Sequence, residues 1–266
     1  MKLLNKTINW LGWLISDILE YAANKIGKPM AGCIPHSPET PLLTSQEVAD
    51  LPVFGKGDGI IDLDNTHTYD QGRTPHCVCY GALLAIETMA IAKYQDNSIT
   101  FDRGYYSQLL RDAGIMTDRG ARIDKVMDWF TKNGVEDTLR RKYKIGKAEP
   151  IIKSEIFNLL DKGYPIVTGA FWGSPYYDHR FIFQPRTLTT GGGHCTILNK
   201  AYDLYYCRFP DNTKNEQRIV DTETSWGDRF GIKKKKSPMG TGRLHVLETD
   251  LDRFFTSYIF TDVTKI

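Results

Sequence analysis

The sequence predicts an α+β protein, a helical half followed by a mainly antiparallel sheet half, with the cleft between them as the default place for a site. Three observations carry this. Residues 77–95, CVCYGALLAIETMAIAKYQ, form a strongly apolar stretch of helical length. Residues 104–114, 121–134 and 151–163 follow with helical spacing, and the first two end at a Gly, a common helix stop. After Tyr164 the pattern changes to short β-rich runs beginning at 165, 194, 217, 243 and 257, separated by Gly, Pro and Asn clusters. The 266 residues make one large domain or two small ones and suffice to bury a core. With 34 basic residues against 32 acidic ones, the chain lacks the basic excess of a nucleic-acid binder, so no nucleic-acid partner is expected. Its 41% hydrophobic content excludes a wholly disordered chain.

The N-terminal segment 2–23 repeats Leu4, Ile8, Leu11, Ile15, Ile18 and Ala22 at helical steps. Asn9 interrupts the apolar run, and Ser16, Asp17 and Glu20 close it well short of the ~18 apolar residues of a membrane span. No transmembrane segment is expected, and the three-part pattern of a secretory signal is not met. The segment reads as an amphipathic helix that packs on the body or on a protein partner; Trp10 and Trp13 suit the alternative, a membrane-surface helix. Residues 34–45, IPHSPETPLLTS, carry three prolines and read as an extended connector. Residues 1–50 are therefore expected to extend a body at 51–266, with a helical lobe at about 70–150 and a β lobe at about 160–262. The run Lys233–Lys236 reads as a solvated loop.

Five cysteines, an odd number over a long chain, argue against a disulfide scaffold and for a reduced compartment. A cytoplasmic or virion-associated setting fits, and secretion is not supported. Cys33, Cys195 and Cys207 read as packing or surface thiols. Cys77 and Cys79 differ, because they stand where DQGRTPH runs into the apolar helix, with Pro75 as a helix-start signal. The positive end of a helix lowers a thiol's pKa toward the reactive thiolate. Cys77 and Cys79 are too close together for a Cys-x-x-Cys pair, and no His/Cys cluster has zinc spacing, so no metal or other cofactor is expected. His194 follows Gly191, Gly192 and Gly193, which leave room for another backbone beside the ring. A thiol and a base separated by 117 residues fit a nucleophile and its partner meeting across a cleft. Gln71, six residues before Cys77, is placed to donate to an oxyanion together with the Cys77 backbone N–H. In TSWGDRF at 224–230, a Trp lies beside a candidate orienting residue for the histidine.

These residues resemble the papain-like cysteine peptidase family, as a divergent member. Gln71-Gly72 followed by Cys77 is similar to its nucleophile motif, Gly192-Gly193-His194 to its histidine motif, and Ser225-Trp226-Gly227 to its Asn-Ser-Trp-Gly motif. The stretch from Asp118 to Val135 is similar to the cleft-lining segment, and the helix at 151–163 with Gly163-Tyr164-Pro165-Ile166-Val167 to the entry into the second domain. The resemblance covers about residues 52–262. It implies a helical left lobe and an antiparallel β-barrel-like right lobe, with peptide or isopeptide cleavage between them. Cys77 would be the nucleophile, His194 the base, Gln71 the oxyanion donor and Thr224 the residue that steadies His194. Gly120 and Gly193 would let substrate backbone approach, and Trp226 would cover the His194 contact. The departures are specific. Thr224 stands for the usual Asn, Val78 for the Trp after the nucleophile, Thr74-Pro75-His76 for Cys-Gly-Ser, and Ala121 for the second cleft glycine. They motivate an alternative, a catalytically weak or inactive papain-fold module serving a larger assembly, with a viral or bacterial source compatible with either. A different thiol transferase or amidase fits less well, because those place His nearer the Cys. The extension reads either as a short pro-segment over the cleft or as a docking helix.

Overall fold

A computed structural model describes residues 32–35, 37–54, 69–72, 74–171, 182–183, 193–208, 214–225 and 243–266. The expected N-terminal helix, the lysine run, His36, His67, His179, Gly191, Gly192, Trp226 and Gly227 lie outside the described residues. The helices are α1 (Ser45–Asp50), α2 (Cys77–Tyr94), α3 (Arg103–Asp112), α4 (Ile123–Asn133) and α5 (Ile156–Asp161). The strands are β1 (Val135–Glu136), β2 (Lys142–Ile145), β3 (Ala148–Pro150), β4 (Ile166–Phe171), β5 (Ile182–Phe183), β6 (Gly193–Arg208), β7 (Lys214–Glu223), β8 (Arg243–Leu247), β9 (Phe254–Phe260) and β10 (Val263–Lys265).

Helix α2 is the centre of the molecule. It is apolar on every side, and a helix of that kind must be covered on every side. Cys77 to Ala90 are buried apart from Tyr80, and Glu87 and Thr88 are buried with them. By length and composition α2 is apolar enough to cross a membrane, yet here it is the core helix. It ends at Gln95, whose left-handed backbone (φ 53°) returns an N–H to Ile91 O. Helix α3 starts at Asp102, whose carboxylate accepts from Tyr105 N. Helix α4 buries Ile123, Val126, Met127 and Phe130 at steps of three and four.

The other half of the core is a seven-stranded sheet in the order β3-β9-β4-β6-β7-β8-β5. Every pair is antiparallel except β5–β8. The outermost strands, β3 and β5, do not pair with each other, so the lobe expected to resemble a barrel is an open sheet. Helix α2 reaches this sheet through Gly81, where a Cβ would sit 2.9 Å from Cys195 Sγ and touch Ile197 and Val167 at ordinary contact distance. A second, three-stranded sheet, β1-β2-β10, closes the helical half. The sequence pattern does not announce it, because its strands are two to four residues long.

Residues 43–54 are tied to the body. Leu43 N–H donates to Pro150 O, Phe54 N–H to Lys162 O, and Tyr164 Oη to Pro52 O. Within the expected connector, Thr44 begins helix α1 through a capping box with Glu47.

Candidate active site

Cys77 opens α2 and is completely buried. The backbone N–H groups of Cys195 and Gly32 are near enough to its thiol to lower its pKa. Cys195 follows His194 directly on β6, so the fold brings the nucleophile candidate to the histidine strand. There Gly193, His194 and Cys195 pair with Phe171, Ala170 and Gly169 of β4. Thr224 is buried just past the end of β7. The β6–β7 register runs Leu198↔Thr222 and Ile197↔Glu223. Thr224 follows the last paired residue of β7 directly.

Gln71 is locked in place. Its N–H donates to Ser225 O at 2.8 Å, its Oε1 accepts from Ser225 Oγ, and its Nε2 donates to Thr74 O at 2.6 Å. Ser225, noted in the sequence only as part of a motif, is thus what fixes the amide's orientation. The arm carrying Gln71 is anchored two residues earlier. Tyr69 Oη donates to Glu87 of α2 at 2.8 Å and meets Thr100 Oγ1 at 2.9 Å. Arg103 lies with its guanidinium carbon 2.9 Å from the centroid of the Tyr69 ring and pairs with Glu87 at 3.1 Å, both side chains inside the core.

The cleft mouth is crossed by residues 32–34, which act as a strap. Cys33 N–H donates to Gly193 O (2.9 Å), Ala121 N–H to Gly32 O (2.8 Å) and Ile34 N–H to Ala121 O (2.8 Å). The strap therefore pairs with one wall through Ala121 and with the other through Gly193. Two glycines face each other here. A Cβ on Gly120, whose φ is +102°, would overlap the Gly32 carbonyl, and one on Gly32 would overlap the Pro75 carbonyl. The Cys33 side chain fills a pocket against Gly169, with its Sγ 3.0 Å from where a Cβ would stand and the Phe255 ring alongside. Cys33, read from the sequence as a packing or surface thiol, packs inside the cleft. Only its sequence distance from Ala121 and Gly193 hides that.

Burial sets the protonation states. It pushes the Cys77 thiol up to about 11, against the lowering effect of the N–H groups of Cys195 and Gly32. It pulls the His194 imidazole down to about 3. At pH 7 the strapped site holds a neutral thiol and a neutral imidazole. Cys33 and Cys195 are raised well above the ordinary range, first by burial and then by neighbouring thiols. Cys79 is raised to about 12 by burial, partly offset by the nearby Ser107 hydroxyl. His76, just before Cys77, has its pKa lowered by burial and by Arg111, which donates to its ring and binds Asp118 at 2.8 Å. Among the described residues, no group of three or more His, Cys, Asp or Glu side chains is arranged to hold a metal ion.

This architecture is that of the papain-like cysteine proteases. Procathepsin B S9 from Trypanosoma congolense superposes with a TM-score of 0.61 at 11% identity, covering 89% of this chain and 87% of its own. Xylellain, a cysteine protease from Xylella fastidiosa, gives 0.57 at 17% identity, covering 90% and 98%. Digestive procathepsin L2 from Tenebrio molitor larval midgut gives 0.57 at 14% identity, covering 87% and 78%. At such identities the likeness is one of fold. No family model matches the sequence, and no curated protein sequence does.

Proposed function

We propose that the chain is a cysteine peptidase held off by its own N-terminal strap. The observation that supports this most is the position of Cys77. It begins the central helix, close to the backbone of the strand residue after His194 and to the β-paired Gly32, while the Gln71 amide is bonded to Thr74, three residues before it. In the open enzyme Cys77 attacks a peptide or isopeptide carbonyl, and His194 takes the thiol proton and returns it to the leaving amine. The Gln71 amide and the Cys77 N–H receive the oxyanion, Thr224 steadies His194, and Trp226 covers that contact. Gly120 and Gly193 border the substrate backbone, as they border the strap. Two of the structural relatives, procathepsin B S9 and procathepsin L2, are proenzymes by name, and the strap gives this chain a segment to play that part. Removing it would readmit water, lower the Cys77 pKa and raise that of His194 toward the values a thiolate–imidazolium pair needs.

The test is turnover of a broad peptide library by the full chain, by a form lacking residues 1–40, and by that form with Cys77→Ala. Turnover that rises on truncation and vanishes with Cys77→Ala supports the proposal. A thiol-directed active-site probe that labels Cys207 but never Cys77 in the truncated form overturns it. A second reading, a papain-fold binding module, is favoured by the neutral, enclosed His194 and by Thr224 in the orienting position. It predicts no turnover from any of the three forms.

A further inference from the structure

We propose that Tyr69 is a positioning residue that ties the Gln71 arm to the helix carrying Cys77, through the buried Glu87–Arg103 pair. The proposal rests on the peptidase reading for its kinetic consequence but not for its geometry. An oxyanion site works only if its two donors are preorganised, and here they come from different segments. One is the N–H at the start of α2; the other is a side chain on an arm of four described residues, 69–72.

The Ser225 contacts hold that arm to the sheet half, the Gln71–Thr74 bonds close a local turn before α2, and Tyr69 ties the arm to the body of α2. The phenol reaches both carboxylate oxygens of Glu87, at 2.8 and 3.0 Å, one side chain within the same helix that begins at Cys77. Arg103 closes the arrangement. It lies on the Tyr69 ring, donates to Glu87, and fixes its other end on Phe101 O at 2.8 Å. Burial raises the Tyr69 pKa, so the phenol remains a donor throughout the working pH range. Thr100, which also meets the hydroxyl, belongs to the connection that leads into α3. An ion pair enclosed in apolar core leaves few alternative geometries, because any shift strands a charge or a polar group without its partner.

The test uses the full-length chain. Amide hydrogen exchange is followed at Gln71, whose N–H is held by Ser225, and at core amides of α2 and β6. Tyr69→Phe keeps the ring under Arg103 and removes only the hydroxyl. It is expected to speed exchange at Gln71 by about tenfold or more while the core amides keep wild-type rates. Thr100→Val removes one partner of the hydroxyl and should give the same pattern on a smaller scale, including where Tyr69→Phe fails to accumulate. Equal exchange at Gln71 in all forms overturns the proposal. The kinetic arm places Tyr69→Phe in full-length Gly32→Val, with and without Gln71→Ala. The expected result is a fall in kcat of about 10- to 10²-fold with KM unchanged, and no further fall once Gln71 is Ala. Equal losses in both backgrounds overturn action through Gln71 while leaving the peptidase reading intact. Absence of thiol-dependent turnover in Gly32→Val itself overturns the peptidase reading, and the exchange result then decides the anchor alone.

Discussion

Two short segments lie near the start of α2, the strap against Pro75 and the arm against Thr74, and they are held by different means. The strap at 32–34 is attached by three backbone hydrogen bonds and by two glycines whose lack of side chains permits the approach. The arm at 69–72 shares one backbone hydrogen bond with Ser225 and is otherwise attached by side chains, through a buried ion pair and a hydroxyl–amide lock. Backbone pairing at a cleft mouth can be exchanged for water or for another peptide at little net cost, since each bond contributes only ~1 kcal/mol. A buried charge pair cannot be exchanged that way. The strap is therefore the part built to leave, and the arm is the part built to stay.

The largest effect should come from the arm. Glu87→Ala leaves Arg103 buried without its carboxylate and the Tyr69 phenol without its main acceptor. It should cost ~3–5 kcal/mol, read as a lower denaturation midpoint at unchanged m-value. A loss below ~1 kcal/mol would mean the pair is solvated and the contrast with the strap is false. Next, Gln71→Ala in the truncated form should lower kcat by about 10²–10³ without unfolding the chain. A change confined to KM would remove Gln71 from the oxyanion site.

The strap is probed by Gly32→Val. Gly32 does not need a left-handed backbone, so the new side chain acts only by colliding with Pro75 and displacing the strap. With Cys77 at about 11 in the strapped chain, few thiolates exist at pH 8. A return toward the ordinary ~8.5 should raise the alkylation rate at pH 8 by about 10²-fold. The sign in pH follows: wild-type labelling climbs with pH up to about 11, whereas the variant levels off much earlier. Coincident profiles would show that the strap does not control the thiol. The same raised pKa means the buried thiol contributes stability that is present below its unfolded value and lost as pH rises through about 11. The smallest effect belongs to the strap's anchor. Thr44→Ala removes the capping box of α1 and should cost ~1 kcal/mol locally, with Gln71 exchange unchanged.

Local signals in the chain reveal much of this architecture. The unbroken apolar run after Pro75 marks the central helix and its first cysteine, and three glycines mark the histidine strand. Features that depend on distant partners leave no such mark. Tyr69, Glu87 and Arg103 are ordinary residues until α2 and α3 bring them together. Cys33 looks like a connector thiol because its walls, Ala121 and Gly193, are remote in sequence. The strand at Lys142–Ile145 carries two lysines, so its alternation passes for a polar loop. The expected extended connector ends where α1 begins, at the Thr44–Glu47 capping box.

The central helix also dictates how the molecule is made. Helix α2 is apolar all round, and the strands that cover its far side, β4 and β6, begin well after it, with β6 roughly 100 residues behind. During synthesis the helical half emerges with one flank of its most apolar element uncovered, a condition that favours self-association. The two halves therefore fold as one event rather than in turn. A chain cut between α5 and β4 should yield an N-terminal fragment that aggregates instead of a stable helical lobe.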